Sequence, residues 1–212
     1  MIYNFGSINI DYFYSVPRLP DKGETLAAED FAMGLGGKGA NMSVAIARAG
    51  RSVCHIGAVG EDGLWTKETL RKDGVDVKFV KVLAKPTGHA VINRDEDGEN
   101  TIILFPGANE QQDEDVLVKS LSQAEQGDFF LLQNETNLGA QAAHLARENG
   151  LTVAYVAAPF DAGAAQDVLP YADILILNEV EMAQLQKASG RSVSELGLDL
   201  VVVTKGSKGC SL

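Results

Sequence analysis

Short apolar runs alternate with longer periodic stretches through the second half of the chain. The apolar runs predict buried strands at 128–133, 152–157, 173–177 and 200–204. Apolar residues that recur every three or four positions predict helices at 113–125, 138–149 and 179–187, and a short irregular or helical piece at 159–170. Strands that are apolar on both faces and separated by helices are typical of parallel sheets covered on both sides. This half therefore predicts an α/β fold, with a mostly parallel sheet flanked by helices.

The first half shows the same alternation of strands and helices, but two strand-rich portions interrupt it. Strands are predicted at 1–8 and 52–59, helices at 40–49 and 64–72, and a weakly alternating segment at 76–83. The interrupting portions contain extended segments at 11–16, 25–33, 88–93 and 101–105, and the last two flank an acidic hairpin turn. We therefore predict a small β-sheet lid built from 9–36 and 87–108. It would lie on an α/β core made of 1–8, 37–86 and 109–212.

Composition and charge narrow the class of protein. Hydrophobic residues make up 45% of the 212 residues and charged residues 22%, as in a soluble globular protein. The net charge of −11 repels phosphate backbones, so we expect no nucleic-acid partner. No apolar run approaches the ~20 residues needed to span a bilayer, so we expect no membrane association. Cys54 and Cys210 lie far apart in sequence, which favours a reducing, cytoplasmic location.

A glycine-rich segment, Gly34-Leu35-Gly36-Gly37-Lys38-Gly39, precedes the first predicted helix. It fits the G-x-G-x-x-G pattern, but a dinucleotide fold joins its first strand directly to the helix, and here that strand ends some thirty residues earlier. A Walker A loop is disfavoured because glycine, not Ser or Thr, follows Lys38. A plain turn without a ligand stays open. The alternative is a ligand site in which backbone N–H groups, Lys38 and the Asn41 amide face sugar hydroxyls.

Asn9 and Asp11 form a second candidate, at the start of an extended segment. Because side chains alternate along a strand, the amide and the carboxylate lie on the same face. An Asx turn at the strand end explains the pair equally well, if it is taken alone.

Several motifs occur together, in one order along the whole chain. They are Gly6-Ser7-Ile8-Asn9-Ile10-Asp11, Pro20-Asp21-Lys22-Gly23-Glu24-Thr25, Gly36-Gly37-Lys38-Gly39-Ala40-Asn41, Gly88-His89-Ala90-Val91-Ile92 with Gly98-Glu99-Asn100 and Pro106-Gly107-Ala108-Asn109, Asn178-Glu179-Val180-Glu181, and Thr204-Lys205-Gly206-Ser207-Lys208-Gly209. This series resembles the ribokinase (PfkB) family of carbohydrate kinases. The resemblance implies ATP-dependent phosphorylation of a small carbohydrate, such as the pentose ribose, by a homodimer that pairs through the lid.

The resemblance also implies roles for individual residues. The sugar-binding residues would be Asn9, Asp11, Gly37, Lys38, Asn41 and Glu135, with Ala90 and Ile92 as an apolar cover. The nucleotide-binding residues would be Asn178, Thr204 and Gly206. Asn178 and Glu181 would organise Mg²⁺ through water, as suits a cation that keeps its hydration shell. The cofactors would be ATP and Mg²⁺, and the requirement for a monovalent cation stays open.

Each of these roles has a simpler alternative. Asn178 and Glu181 are also the pattern of a helix N-cap with an acid in the first turn, and the two roles are compatible. Thr204 and Gly206 suit an ordinary strand end and turn. Glu135 suits a solvated loop acid that follows a strand.

The family places its catalytic base in a Gly-Ala-Gly-Asp turn, and this sequence contains none. The resemblance therefore implies that the base lies beyond Leu212, and we expect the 212 residues alone to show no turnover. Two alternatives to a pentose kinase stay open. One is a nucleoside kinase or another sugar kinase of the same fold, and the other is a non-catalytic sugar-binding module.

Overall fold

The computed structural model describes residues 1–212 and contains twelve strands and six α-helices. The strands are β1 (Ile2–Phe5), β2 (Asn9–Ser15), β3 (Asp30–Gly36), β4 (Val53–Gly60), β5 (Asp76–Leu83), β6 (Gly88–Arg94), β7 (Asn100–Phe105), β8 (Phe129–Gln133), β9 (Thr152–Val156), β10 (Ile174–Asn178), β11 (Leu200–Thr204) and β12 (Cys210–Ser211). The helices are α1 (Lys38–Arg48), α2 (Leu64–Lys72), α3 (Glu114–Leu121), α4 (Gly139–Glu148), α5 (Ala162–Val168) and α6 (Glu179–Ser189).

The larger sheet has eight strands in the order β12-β11-β10-β9-β8-β1-β4-β5. All its neighbours pair in parallel except β11 and β12, which are antiparallel. Its central strands are almost completely buried, because helices cover both faces of the sheet. The predicted mostly parallel α/β sheet flanked by helices is confirmed.

The order of the sheet reverses beside β1. The chain leaves β1 towards β4 and β5 on one side, and it later returns to β8 on the other side. In open α/β sheets, ligands bind beyond the carboxyl ends of the strands at such a reversal. Ser7 follows β1 and residues 134–137 follow β8, so these two segments lie where a ligand is expected to bind.

A second, four-stranded sheet has the order β3-β2-β6-β7. The predicted hairpin is present as the antiparallel pair β6 and β7, whereas β2 and β6 are parallel neighbours. We call these four strands the lid sheet. The second small sheet is thus confirmed, while the proposed division of the chain into core and lid stays a prediction.

Some predicted bounds were wrong. The second lid strand covers Asp30–Gly36 rather than 25–33, because its pairing with β2 runs from Ser15 opposite Asp30 to Asn9 opposite Gly36. Gly34 and Gly36 therefore lie in a strand. The helix predicted at 113–125 ends at Leu121, and the short edge strand β12 was not predicted.

The helices are short relative to a bilayer. The longest have 11 residues, and none combines the length and the apolar character that crossing a membrane requires.

Candidate functional site

The Glu135 carboxylate connects three parts of the chain at the reversal of the sheet. It accepts hydrogen bonds from the Lys38 ammonium (Oε1–Nζ 2.7 Å), from the Lys38 backbone N–H (3.0 Å) and from the Ser7 hydroxyl. Only 7% of the Glu135 side chain is exposed, whereas 41% of the Lys38 side chain is exposed. A carboxylate can be buried in this way because charged and polar donors surround it. The interpretation of Glu135 as a solvated loop acid is wrong.

Helix α1 begins at Lys38, and this explains part of the arrangement. The first N–H groups of a helix have no partner within the helix, and the helix dipole favours negative charge there. The Glu135 carboxylate satisfies one of these groups, the Lys38 N–H. The Lys38 side chain remains partly exposed, so its other ammonium protons are available to a ligand.

The glycines around Lys38 allow two stretches of backbone to touch. A Cβ on Gly39 would lie 2.6 Å from the Cα of Gly6, and a Cβ on Gly37 would lie 2.8 Å from the Ser7 carbonyl oxygen. Gly37 also has φ +92°, which disfavours any other residue. The segment joins a lid strand to α1, so it lacks the direct connection from the first strand that a dinucleotide fold requires.

Asp11 lies in β2 with its carboxylate over Gly36. A Cβ on Gly36 would lie 2.1 Å from Asp11 Oδ1, so the carboxylate takes the space that a side chain would need. Burial raises the pKa of Asp11, the negative charge of Glu135 raises it further, and Lys38 lowers it. The three charged side chains therefore act on one another across the same small volume.

A cleft of about 490 Å³ opens beside this cluster, and nine of the ten residues that line it are not hydrophobic. The lining includes Asn9, Asn109, Asn134, Glu135, Thr136 and Asn137, with Leu104 from the lid sheet. Of the predicted residues, Asn9 and Glu135 line this cleft. Asn41 is exposed on α1, three positions after Lys38 and on the same side of the helix, and its side chain forms no hydrogen bond within the protein.

Sequence reasoning missed several of these lining residues. Residues 134–137 directly follow β8, and their position after a buried parallel strand was the signal that could have identified them. Asn109 ends the Pro106-Gly107-Ala108-Asn109 motif, for which the sequence predicts no individual role.

The predicted apolar cover lies on the cleft side of the lid sheet. Ala90 is the register neighbour of Asp11 in β2 and of Leu104 in β7, and paired residues of adjacent strands share a face. Ile92 lies two positions further along β6 on that face. Ala90 is buried, and Ile92 is half-buried.

A network of buried side-chain hydrogen bonds begins at Gln133, directly before the segment 134–137. Gln133 Nε2 donates to Asn4 Oδ1, Asn4 Nδ2 donates to Ser43 Oγ, and Ser43 Oγ lies 2.8 Å from His55 Nδ1. Complete burial lowers the pKa of His55 to about 4, so this imidazole is neutral. Since Asn4 donates to Ser43, the Ser43 hydroxyl donates to His55 Nδ1, and His55 Nε2–H donates to the Gly6 carbonyl (3.2 Å).

The predicted nucleotide residues lie at the same carboxyl edge of the sheet, at the ends of β10 and β11. Asn178 and Glu181 form a reciprocal capping box at the start of α6, with both bonds 2.8 Å long, so the N-cap is confirmed. Thr204 is the register neighbour of Asn178, and Gly206 has φ +57° in the next turn.

Asn178 and Glu181 are also the residues predicted to organise Mg²⁺. No group of three or more His, Cys, Asp or Glu side chains in the structure is arranged to hold an ion directly. One oxygen each of Asn178 and Glu181 is used in the capping box, which leaves the second Glu181 oxygen free. Such a donor set suits a hydrated Mg²⁺ contacted through water rather than a cage of protein ligands.

Comparison with known proteins gives a consistent result. Residues 1–212 match the pfkB family of carbohydrate kinases. The chain is 35% identical to the ribokinase of Haemophilus influenzae over 219 residues, which cover 96% of this chain and 71% of that protein. It is also similar to the structure of Arabidopsis thaliana ribokinase complexed with ribose and ATP, with a TM-score of 0.84 and 31% identity over 99% of this chain and 73% of that one.

A more distant likeness extends to nucleoside kinases. The structure of Burkholderia thailandensis nucleoside kinase in complex with inosine matches with a TM-score of 0.80 over 100% of this chain and 74% of that one. At 17% identity, this likeness shows a shared fold only.

Proposed function

The chain belongs to the pfkB family of carbohydrate kinases, and we propose that it binds a small sugar, a pentose such as ribose, for phosphorylation by ATP. The observation that carries the proposal is the joining of Ser7, Lys38 and Glu135 at the reversal of the sheet, beside Asp11 and beneath the lid sheet. Ribokinases that match nearly the whole of this chain at 30% identity or more support the same substrate class.

The polar groups suit a polyhydroxylated ligand. The Asp11 carboxylate accepts hydrogen bonds, the Lys38 ammonium donates them, and a hydroxyl group can do both. Glu135 neutralises Lys38 and holds it at the start of α1, so its protons have a fixed direction. In this proposal, Gly37 and Asn41 add an N–H group and an amide from the same side. Ala90 and Ile92 cover the apolar edge of the sugar.

The nucleotide would occupy the neighbouring part of the carboxyl edge. Asn178, Thr204 and Gly206 are close to one another there, and the complex of Arabidopsis thaliana ribokinase with ribose and ATP supports ATP as the phosphoryl donor. In this proposal, Asn178 and Glu181 contact a hydrated Mg²⁺ that balances the charge of the nucleotide phosphates. The free Glu181 oxygen supports this role.

Ligand binding by calorimetry, combined with an assay for ADP release, tests the proposal. Saturable binding of D-ribose with weaker binding of inosine is the expected result, and a preference for inosine would favour the nucleoside kinase. Binding of ribose without ATP-dependent release of ADP by the full-length protein would favour the non-catalytic module. Failure of both ligands to bind would contradict the proposed site.

We also propose a homodimer that pairs through the lid sheet. Every residue of β7 is exposed, and β7 is an outer strand of that sheet. Unpaired edge strands tend to be covered by another chain or another element. The apolar side chains Ile102, Ile103 and Leu104 make this edge suitable for burial. A cytoplasmic location is part of the proposal, and the two unpaired cysteines support it.

A further inference from the structure

Asn109 is a buried amide at the base of the lid sheet, and only 1% of it is exposed. Its Oδ1 accepts the backbone N–H of Ile8 (2.9 Å), and its Nδ2 faces the Ile8 carbonyl oxygen (3.3 Å). A backbone N–H can only donate, so the contact with Ile8 fixes which end of the Asn109 amide is oxygen and which is nitrogen. The orientation of this side chain is therefore determined by the main chain.

The orientation of Asn109 sets that of Asn9. Asn109 Nδ2 lies 2.8 Å from the Asn9 side chain, and a nitrogen donor must face an acceptor, so the facing atom is Asn9 Oδ1. The Asn9 Nδ2 group is left without a partner in the protein, although it is not sealed from solvent. Because Asn9 lines the cleft, this unused donor is available to a bound molecule.

Gly88 shows how tightly the amide pair is enclosed. A Cβ on Gly88 would lie 2.2 Å from Asn109 Nδ2 and 2.5 Å from Asn9 Oδ1. Gly88 is the first residue of β6 and the register neighbour of Asn9. The start of a lid strand is thus shaped to accept the pair, and any side chain at this position would separate the two amides.

We infer that Asn109 is a positioning residue, which holds Asn9 as a hydrogen-bond donor towards the sugar. The inference rests on the proposed sugar site and adds to it the polarity of one subsite. The sugar atom that meets Asn9 is an oxygen acting as an acceptor, and both a hydroxyl oxygen and the ring oxygen meet this requirement. Two residues along the same strand, the Asp11 carboxylate requires a hydroxyl that donates. The site therefore selects an acceptor oxygen at Asn9 and a donating hydroxyl group at Asp11.

A double-mutant cycle separates this role from general support of the fold. The Asn109→Asp variant keeps the acceptor for Ile8 N–H but loses the donor to Asn9, so the dissociation constant for D-ribose should rise about 5- to 10-fold, as expected for one hydrogen bond. In an Asn9→Ala background, Asn109→Asp should add no further loss. An equal loss in both backgrounds would overturn the inference.

The Asn9→Asp variant tests the donor directly and keeps the bond from Asn109. One carboxylate oxygen would still accept from Asn109, while the other would present an acceptor to the cleft. D-ribose should bind more weakly to this variant than to the wild type, even though Asn109 is intact. Wild-type affinity in Asn9→Asp would overturn the inference.

A measurement without ligand tests the positioning of Asn9 by Asn109 even if ribose does not bind. The side-chain NH₂ signals of Asn9, assigned by their loss in Asn9→Ala, should shift in Asn109→Asp, because the introduced carboxylate accepts from Asn9 Nδ2 and reverses the amide. Asn137→Asp is the matched control, because Asn137 pairs with the backbone of Gln112 in the same way and does not contact Asn9. Asn9 NH₂ signals that keep their wild-type positions in Asn109→Asp would refute the positioning role. Absence of ribose binding would refute the proposed substrate instead.

Discussion

Lys38 Nζ lies 2.7 Å from Glu135 Oε1, although 97 positions separate the two residues in sequence. The first begins a helix after the lid strand β3, and the second follows the parallel strand β8 on the other side of β1. Their contact is possible because the sheet reverses its order at this point. The carboxylate of the pair is buried, whereas the ammonium is partly exposed and can still donate to a ligand.

Replacement of Glu135 by Gln should weaken sugar binding. The variant removes the charge that holds Lys38 and an acceptor shared by Ser7 and the Lys38 N–H. Hydrogen bonds to charged groups contribute roughly 1.5–3 kcal/mol, so calorimetry should show a dissociation constant for D-ribose that is about 10- to 100-fold higher. Glu96→Gln, at an exposed position in the lid turn, is the control and should bind as the wild type does. Wild-type affinity in Glu135→Gln would show that Glu135 does not contribute to sugar binding.

Replacement of Asp11 by Asn should make the protein more stable but weaken its binding of the sugar. Its pKa is raised, mainly by burial and then by Glu135, so the folded protein holds this proton more tightly than the unfolded chain does. Ionised Asp11 therefore costs stability, and the cost develops as pH rises from the ordinary value of about 3.9 through the raised pKa. Asn at this position removes the charge, so Asp11→Asn should unfold at a higher temperature than the wild type at neutral pH.

The same substitution should impair ligand binding, because Asn presents only one acceptor oxygen. In the wild type, affinity for D-ribose should fall as pH decreases through the raised pKa of Asp11, and Asp11→Asn should lose that dependence. Thermal unfolding and calorimetry across the acid range measure both effects. A less stable Asp11→Asn with unchanged affinity would mean that Asp11 serves the fold rather than the ligand.

The sequence predicted the repeating part of this molecule well. Strands such as β11 and helices such as α2 have the predicted bounds, because a short apolar run or a single apolar helical stripe gives a clear pattern in the sequence. The strand β3 was misplaced because Gly34 and Gly36 were interpreted as part of a loop. Only the register with β2 shows that the carboxylate of Asp11 occupies the space beside Gly36.

The site was predictable only in part, for a related reason. Asn9, Asp11 and Lys38 stand in recognisable motifs, but the burial of Glu135 depends on contacts with Ser7 and Lys38 that no local pattern contains. The orientation of Asn9 depends on Asn109, which is 100 positions away. Such long-range pairs follow from the order of the strands, which local periodicity does not specify.

The capping box of Asn178 allows its structural and ligand roles to be separated. Asn178→Ala should lower the free energy of unfolding by about 1 kcal/mol, while Asn178→Asp should retain most of the cap because Asp is a favourable N-cap residue. If Asn178 also serves the nucleotide, both variants should bind MgATP more weakly. Chemical denaturation and a nucleotide titration measure the two effects. Normal MgATP binding by both variants would leave Asn178 with the capping role alone.

The exposed outer strand β7 of the lid sheet should determine the oligomeric state. Ile103 in β7 is 67% exposed, and a lysine at this position would place a charge in the proposed dimer interface. Ile103→Lys should therefore shift the protein towards the monomer in sedimentation equilibrium. Val180→Lys is the matched control, since Val180 is equally exposed at 67% but lies on α6, away from the lid sheet. A wild-type protein that stays monomeric at high concentration would exclude the dimer.

The segments joined by Lys38 and Glu135 form the proposed sugar site. A titration of the ¹⁵N-labelled protein with D-ribose, followed through its backbone amide signals, shows whether the sugar binds there. We expect saturable shifts concentrated at residues 9–11, 37–41, 88–92 and 134–137. Residues of the first and last segments line the cleft, Lys38 contacts Glu135, and 88–92 pairs with β2 in the lid sheet. Shifts that are absent, or that concentrate at 161–167 in the adjoining cleft, would show that the sugar does not bind at these segments.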